Sequence, residues 1–290
     1  MIYKLTKEEF RRMQLIELDL LVEFDRVCRK HDIKYTLCAG TQLGEVRHNG
    51  FIPWDDDIDV SMMREDYERF KEEAMSDLDK SMCFFQDHTT DPYYRWGYAK
   101  LRYKGTTYIR DGQEHCKYKT GVFIDIIPID DVPNNLTLQI LQDWYCFCIR
   151  KMLWSEVGKK NEKGLLRLWY RMLSVIPSSV IFSMMSLIIN KKNNCTPNKV
   201  RGLMFPAPGI EYATTKELNK RYGMPKHWFT TKEDCLFEGK KVMGMKYADE
   251  YLKYKYGDYM ILPPEDKREG HAPVSFIVLG GLHSEIDNKA

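Results

Sequence analysis

Apolar and polar positions change period several times along the chain, and each change predicts an element. Phe10, Met13, Ile16, Leu20, Phe24 and Val27 recur at three- and four-residue steps, the spacing of one helix face. Thr6-Lys-Glu-Glu9 in front of them has the residue types of a capping box, so an amphipathic helix is predicted from about Lys7 to His31. Lys34 to Ala39 reads as a short strand ending at Gly40, and Thr41 to Arg47 as a brief helix stopped by Asn49-Gly50. Gly40 would let the backbone approach a ligand, and free N–H groups at the helix start could hold a phosphate. A charged helix is predicted over Arg64 to Glu73, with its charges on a solvated face. Strands are predicted between Tyr94 and Ile109, with Lys100 and Arg102 on one face, reaching either a phosphate or solvent.

The run Phe51-Ile-Pro-Trp-Asp-Asp-Asp-Ile-Asp-Val60 changes the picture from pattern to chemistry. On an extended strand Asp55, Asp57 and Asp59 share one side, Ile58 and Val60 take the other, and Asp56 points away from the acidic face. Carboxylates so crowded repel one another and raise their pKa values unless solvent or a cation intervenes. An oxygen-only donor set suits Mg²⁺ or Mn²⁺ better than zinc. A second acid stands out in Gly121-Val-Phe-Ile-Asp-Ile-Ile-Pro128, an apolar strand that Pro128 should end. Asp125 inside it must be paired with a cation or bound to metal; a third metal ligand beside Asp57 and Asp59 is the preferred reading.

From Leu136 to Asn190 the chain becomes long, apolar and helical. Arg167 and Arg171 before the uncharged stretch from Met172 to Asn190, with Lys191 and Lys192 after it, fit a hairpin lying on a membrane surface through residues 165–192. An ordinary helical subdomain fits equally well. Prolines make Asn193 to Gly209 an irregular connection; a hairpin follows over Leu236 to Met243, and a helix over Tyr247 to Tyr256 closed by Gly257. Lys267, Arg268 and His271 sit on a Pro-rich loop that could close over an anionic substrate or simply be solvated.

Composition adds bounds. The chain has 290 residues, enough for a large core, and Lys+Arg 44 against Asp+Glu 42 gives no charge-based reason to expect nucleic acid. Eight cysteines without C-x-x-C spacing read as free thiols in a reducing cytosol. A charged first turn argues against a cleavable signal sequence, so a cytoplasmic location is expected.

At Ala39-Gly-Thr-Gln-Leu-Gly-Glu-Val-Arg-His48, the acidic run, Arg64-Glu-Asp-Tyr67, Phe123-Ile-Asp-Ile126, and Tyr256 to Pro264 with His271, the sequence resembles the LicD family of phosphotransferases, which includes the fukutin and fukutin-related proteins. The resemblance implies an α+β fold: a nucleotidyltransferase-like mixed sheet with flanking helices. Residues 1–135 and 199–290 would form the catalytic core, with 136–198 a helical insertion. It places the glycine turn at Gly40-Thr41, the acid pair at Asp57 and Asp59, and the third acid at Asp125. Ala39 stands where the family commonly has a first glycine, which should tighten the turn.

The implied reaction is transfer of a phosphoalcohol, most simply phosphocholine from CDP-choline, to a hydroxyl of a glycan or lipid-linked glycan such as a teichoic acid precursor, with release of CMP. Mg²⁺ or Mn²⁺ would sit on Asp57, Asp59 and Asp125, with help from Asp55. Asp125 could also take the acceptor's proton. Arg47 and His48 would touch donor or acceptor, or else satisfy Asp56. Trp54, Tyr93, Tyr94 and Trp96 could cage a quaternary ammonium. Two other readings use the same residues: nucleotidyl transfer to a sugar, and a non-catalytic glycan-binding module. Retention of all three acids argues against the latter.

Overall fold

The computed structural model describes residues 3–133, 135–189, 195–206, 222–268, 270 and 273–280. The predicted first helix, α1 (Lys7–Lys30), begins at a reciprocal capping box: the Thr6 hydroxyl accepts the Glu9 N–H at 3.1 Å, and the Glu9 carboxylate accepts the Thr6 N–H at 2.8 Å. Strand β1 (Thr36–Leu37), helix α2 (Ala39–His48) and strand β2 (Ile58–Met63) follow. Helix α3 (Arg64–Arg69) continues as one wider turn to Ala74. Then come β3 (Cys83–Gln86), β4 (Ala99–Tyr103), β5 (Thr107–Arg110) and the long β6 (Phe123–Pro133).

The central sheet has the order β1-β2-β6-β4-β3, in which β2 and β6 are parallel and the other pairs antiparallel. Alternation in β2 sends Ile58, Val60 and Met62 into the main core with Met13, Leu20 and Phe24 of α1, as the apolar half of the pattern requires. Pro128 does not end β6, contrary to the sequence reading. The β4 partners stop at Ile126, so the proline lies beyond the last of them, where a missing N–H is tolerated. On the opposite face Ile127 and Ile129 pack with Leu43 of α2 and with the C-terminal helices α7 (Lys226–Thr230) and α8 (Ala248–Tyr256).

Helices α4 (Leu136–Asn161), α5 (Gly164–Leu173) and α6 (Ser178–Ile189) share their own apolar cluster of Ile149, Met152, Leu153, Ile181, Phe182 and Met185. Strand β7 (Cys195–Arg201) returns to the far end of β6 and pairs with β8 (Met224–Pro225). Arg201, fully buried, bonds Asp143 of α4 at 2.9 Å, the Tyr222 hydroxyl at 2.7 Å and the Phe205 carbonyl at 2.8 Å. It therefore fastens the inserted helices to the sheet. The predicted hairpin is β9 (Lys232–Phe237) with β10 (Lys240–Met245), turning at Glu238-Gly239, both with positive φ; β11 (Val274–Val278) pairs with β5. The connection predicted as irregular over Asn193 to Gly209 instead contains β7, where Pro197 falls in an interval between paired residues, while Lys191 to Asn194 and residues 207–209 lie outside the described residues.

Candidate active site

Strand register builds the site. Asp59 on β2 is opposite Asp125 on β6, and Asp125 is opposite Lys100 on β4, so acid, acid and ammonium form one row across three strands. Carboxylate oxygens of Asp57, Asp59 and Asp125 all lie within 4.8 Å of one another. Lys100 is buried and ion-paired with Asp125, so it neither reaches solvent nor stands free for a phosphate. Arg110 on β5 approaches Asp57 at 3.4 Å and stands 5.4 Å over the Phe123 ring.

Electrostatics follow from this crowding. Burial, then Asp57 and Asp125, push the Asp59 carboxyl well above its ordinary range, against the opposing charge of Lys255. Glu17, on the buried face of α1, is pushed well up by burial and then by Asp57, Asp56, Asp55 and Asp125. Burial lowers Lys100 to about 8, with Asp125 opposing. For Arg110 burial works against the charge, and Tyr108, Asp125 and Asp57 together outweigh it, raising the guanidinium's pKa. Mutual repulsion among oxygen ligands is relieved by a hard divalent cation, and the three-acid group fits one.

Three features of the acidic run differ from the strand reading. The strand starts at Ile58, so strict alternation does not extend back to Asp55 and Asp56. Asp56 does not point away: its carboxylate oxygens cluster with those of Asp55 and Asp57, and the Tyr108 hydroxyl donates to it at 3.5 Å. Asp55 lies against the first turn of α2, where a Cβ on Gly40 would stand only 2.5 Å from its Oδ2.

The glycine turn is displaced by one residue. Helix α2 begins at Ala39, not Thr41, and it is Ala39 that holds the left-handed φ of 49°. The close approach that Gly40 permits is thus to Asp55. Thr41 is buried and its hydroxyl accepts the Asp59 N–H at 2.8 Å, which fixes the acid pair against α2.

Other predicted residues fall outside the acid row. Arg47 donates to the Tyr259 carbonyl at 2.8 Å and to His48 Nδ1 at 3.4 Å, and His48 meets the edge of Trp54; they face the loop after α8. Arg102 is buried and bonds the Gly121 carbonyl at 2.7 Å and the Gln86 side chain. It joins strands, because Gln86 on β3 and the entry to β6 supply the acceptors. Lys267 is exposed, whereas Arg268 stacks 5.5 Å over Trp54. Gly270 lies against Asp56, so this loop runs along the acidic segment. His271 lies outside the described residues. The four aromatics do not form one cage: Tyr94 and Trp96 pack with Tyr118 at 6.3 and 5.1 Å, while Trp54 sits with His48 and Arg268.

Sequence reasoning missed Arg110, Glu17 and Lys255. Glu17 had a signal, since it falls on the apolar stripe four residues after Met13 and three before Leu20. Arg110 and Lys255 had none; tertiary packing alone brings them to the acids.

A mixed sheet with an acid-x-acid pair at the head of one strand, a third acid in register on its parallel neighbour and a helix-starting turn beside them defines a nucleotidyltransferase-type domain. Residues 32–140 match the family model of the LicD/FKTN/FKRP nucleotidyltransferase domain. Over 278 residues the chain is 29% identical to the lipopolysaccharide cholinephosphotransferase LicD of Haemophilus influenzae, covering 91% of this chain and 96% of that protein. Two uncharacterized proteins match over short stretches: one of Rickettsia typhi, 43% identical over 18% of this chain and 17% of its own length, and one of Rickettsia prowazekii, 47% identical over 16% and 18%. Residues 32–140 are thus similar to that nucleotidyltransferase domain, and most of the chain is similar to a cholinephosphotransferase.

Proposed function

We propose that the protein transfers phosphocholine from CDP-choline to a hydroxyl of a cell-surface glycan precursor, such as a teichoic acid, and releases CMP. The observation that carries this reading is the carboxylate group of Asp57, Asp59 and Asp125, within 4.8 Å of one another and flanked by Lys100 and Arg110. The near full-length relative named as a cholinephosphotransferase supports the choline donor.

Asp57, Asp59 and Asp125, with Asp55 nearby, would hold Mg²⁺ or Mn²⁺, which when bound neutralises charge on the donor pyrophosphate. Arg110 faces the same space and is placed to take part of the charge developing on the transferring phosphoryl. Asp125 would accept the acceptor's hydroxyl proton, becoming neutral and giving up its ion pair with Lys100, which keeps its own charge. Thr41 holds the acid pair in register. Asp59→Asn and Asp57→Asn are each expected to abolish CMP release from CDP-choline while the thermal melt is retained. Pyrophosphate release from a nucleoside triphosphate would instead identify nucleotidyl transfer, and CMP release by either variant at the parent rate would end the metal-site reading.

The same reading places the protein at the cytoplasmic face of the membrane, on its inserted helices. No helix among the described residues is long and apolar enough to span, but α5 and α6 pass that test together and meet at 83°. Along them Leu165 is 86% exposed, Val175 80% and Met172 66%, beside Arg167 and Arg171. An apolar face edged with cations suits an interfacial helix on anionic lipid. Co-sedimentation with phosphatidylglycerol vesicles is expected, with little on phosphatidylcholine, and Leu165→Asp with Leu168→Asp should release the protein. Equal recovery in the supernatant for parent and variant would favour a plain helical subdomain.

A further inference from the structure

Between α4 and the segments 92–98 and 115–118 lies a cavity of about 810 Å³, within the range of small-ligand sites. Its walls combine two chemistries. Trp96, Tyr98, Tyr118 and Trp154 present ring surface, while Arg95, Lys117, Arg150 and Lys151 bring four cations. Glu156 is the acid among the described lining residues; it pairs with Lys159 at 2.6 Å and with Arg95 at 4.0 Å, which leaves Lys117, Arg150 and Lys151 as the cations it does not offset. Lys117 and Lys151 lie over the rings of Tyr93 and Phe147, and neither they nor Arg150 form an ion pair with a described residue. Uncompensated cations beside apolar rings favour an anion.

A smaller cavity of about 210 Å³ shares Trp96, Tyr98, Tyr118 and Trp154 with the first and continues to Lys100 and Arg110. Those two residues contact Asp125 and Asp57. The aromatic walls therefore lead from the cationic cavity to the acid row, and they arrive from the β4 and β5 side. Helix α2, with Thr41 tied to Asp59, stands on the other side, next to β1 and β2.

We infer that this cavity is the subsite for a negatively charged glycan acceptor, whose sugar ring packs on Trp96 and Trp154 and whose phosphate or carboxylate is held by Lys117, Arg150 and Lys151. The inference rests on the transfer reading above. Charge decides against the donor as occupant. The quaternary ammonium of CDP-choline would be repelled by these cations, and its only anionic group, the pyrophosphate, belongs at the reacting acids. The cations beyond the rings thus call for a second anion, carried by the acceptor. The C–H face of a sugar supplies apolar surface for the rings, and the glycan chain gives the length to reach from cavity to acid row.

The test is a tryptophan-fluorescence titration of the full chain, with Trp96 and Trp154 as reporters, using N-acetylgalactosamine 6-phosphate, unmodified N-acetylgalactosamine, inorganic phosphate and CDP-choline as probes. Saturable binding of the phosphorylated sugar is expected, with the neutral sugar and inorganic phosphate each at least roughly tenfold weaker, and no displacement by CDP-choline. Arg150→Gln and Lys151→Gln should each weaken it by about tenfold. Arg150 also bonds the carbonyls of Leu203 and Phe205, so Lys151→Gln, at a half-exposed position, keeps the test if that variant fails to fold. Equal binding of neutral and phosphorylated sugar, displacement by CDP-choline, or unchanged affinity in Lys151→Gln would overturn the assignment. Because binding is read without turnover, a failed titration leaves the CMP-release test of the reaction standing, and the reverse.

Discussion

Exchanging the residue types at positions 39 and 40 separates two effects that a single glycine turn would merge. Ala39 occupies the left-handed region at φ 49°, which costs an L-residue with a Cβ about 1–2 kcal/mol. Glycine at that position loses about 0.5–1 kcal/mol of extra chain entropy on folding. Ala39→Gly should therefore stabilise the fold by about 0.5–1 kcal/mol, or roughly 1–3 °C in Tm for a domain of this size. Gly40→Ala should do the opposite. Its helical backbone would gain up to about 1 kcal/mol from alanine's propensity, but the new Cβ would sit 2.5 Å from Asp55 Oδ2 and 3.3 Å from its Cγ. The carboxylate would have to leave the start of α2, losing about 0.5–2 kcal/mol of interaction with the helix N-terminus and dragging the adjoining Asp56 and Asp57 with it. Urea unfolding followed by circular dichroism reads both, with the denaturant slope unchanged if only stability moves. CMP release should fall in Gly40→Ala and hold in Ala39→Gly. A destabilised Ala39→Gly, or a Gly40→Ala with full activity, would refute the assignment of strain to one position and close approach to the other.

Further expectations concern buried charge. Lys100→Met leaves Asp125 buried without its ammonium, a loss of about 3–5 kcal/mol. Added Mg²⁺ should recover more Tm in this variant than in the parent, and equal shifts would count against a cation site at Asp125. Arg201→Met should loosen the inserted helices by a similar few kcal/mol, since it removes the ties to Asp143, Tyr222 and Phe205; limited proteolysis near α4 is the readout. Lys232 is pushed down to about 7 by burial, with Asp66 opposing. Between that value and the ordinary lysine value the unfolded chain carries the extra proton, so stability should rise with pH across that window. In Lys232→Met that rise should disappear from a series of melts; persistence of the slope would place its origin elsewhere.

Much of the site was legible because its residues violate their own local patterns. Asp59 and Asp125 interrupt apolar strands, and an acid in such a position announces a partner. Period-two alternation carried Ile58 and Val60 to the core correctly, then failed at Asp55 and Asp56 because the strand had not yet begun. What could not be read was which distant elements supply the counter-charges. Arg110 and Lys255 come to the acids from separate parts of the chain, and nothing around either in sequence sets it apart. Pro128 misled for a related reason: whether a proline ends a strand depends on the neighbouring strand's length, here that of β4. The aromatic residues were visible as types, but only packing separated Trp54 from Trp96.

The parallel pairing of β2 with β6 has a consequence for how the protein matures. Asp59 and Asp125 are neighbours across that pair, yet α3, β3, β4 and β5 all lie between them in sequence. Such a contact forms late, because the intervening chain must close a long loop before the pairing repays it. A nascent or partly folded chain has the acids but not the cluster, so a divalent ion held by the cluster would bind the finished sheet alone. Its concentration would then act as a thermodynamic ratchet on completed folding, stabilising the native protein further with each tenfold rise above the dissociation constant and leaving unfinished chains untouched.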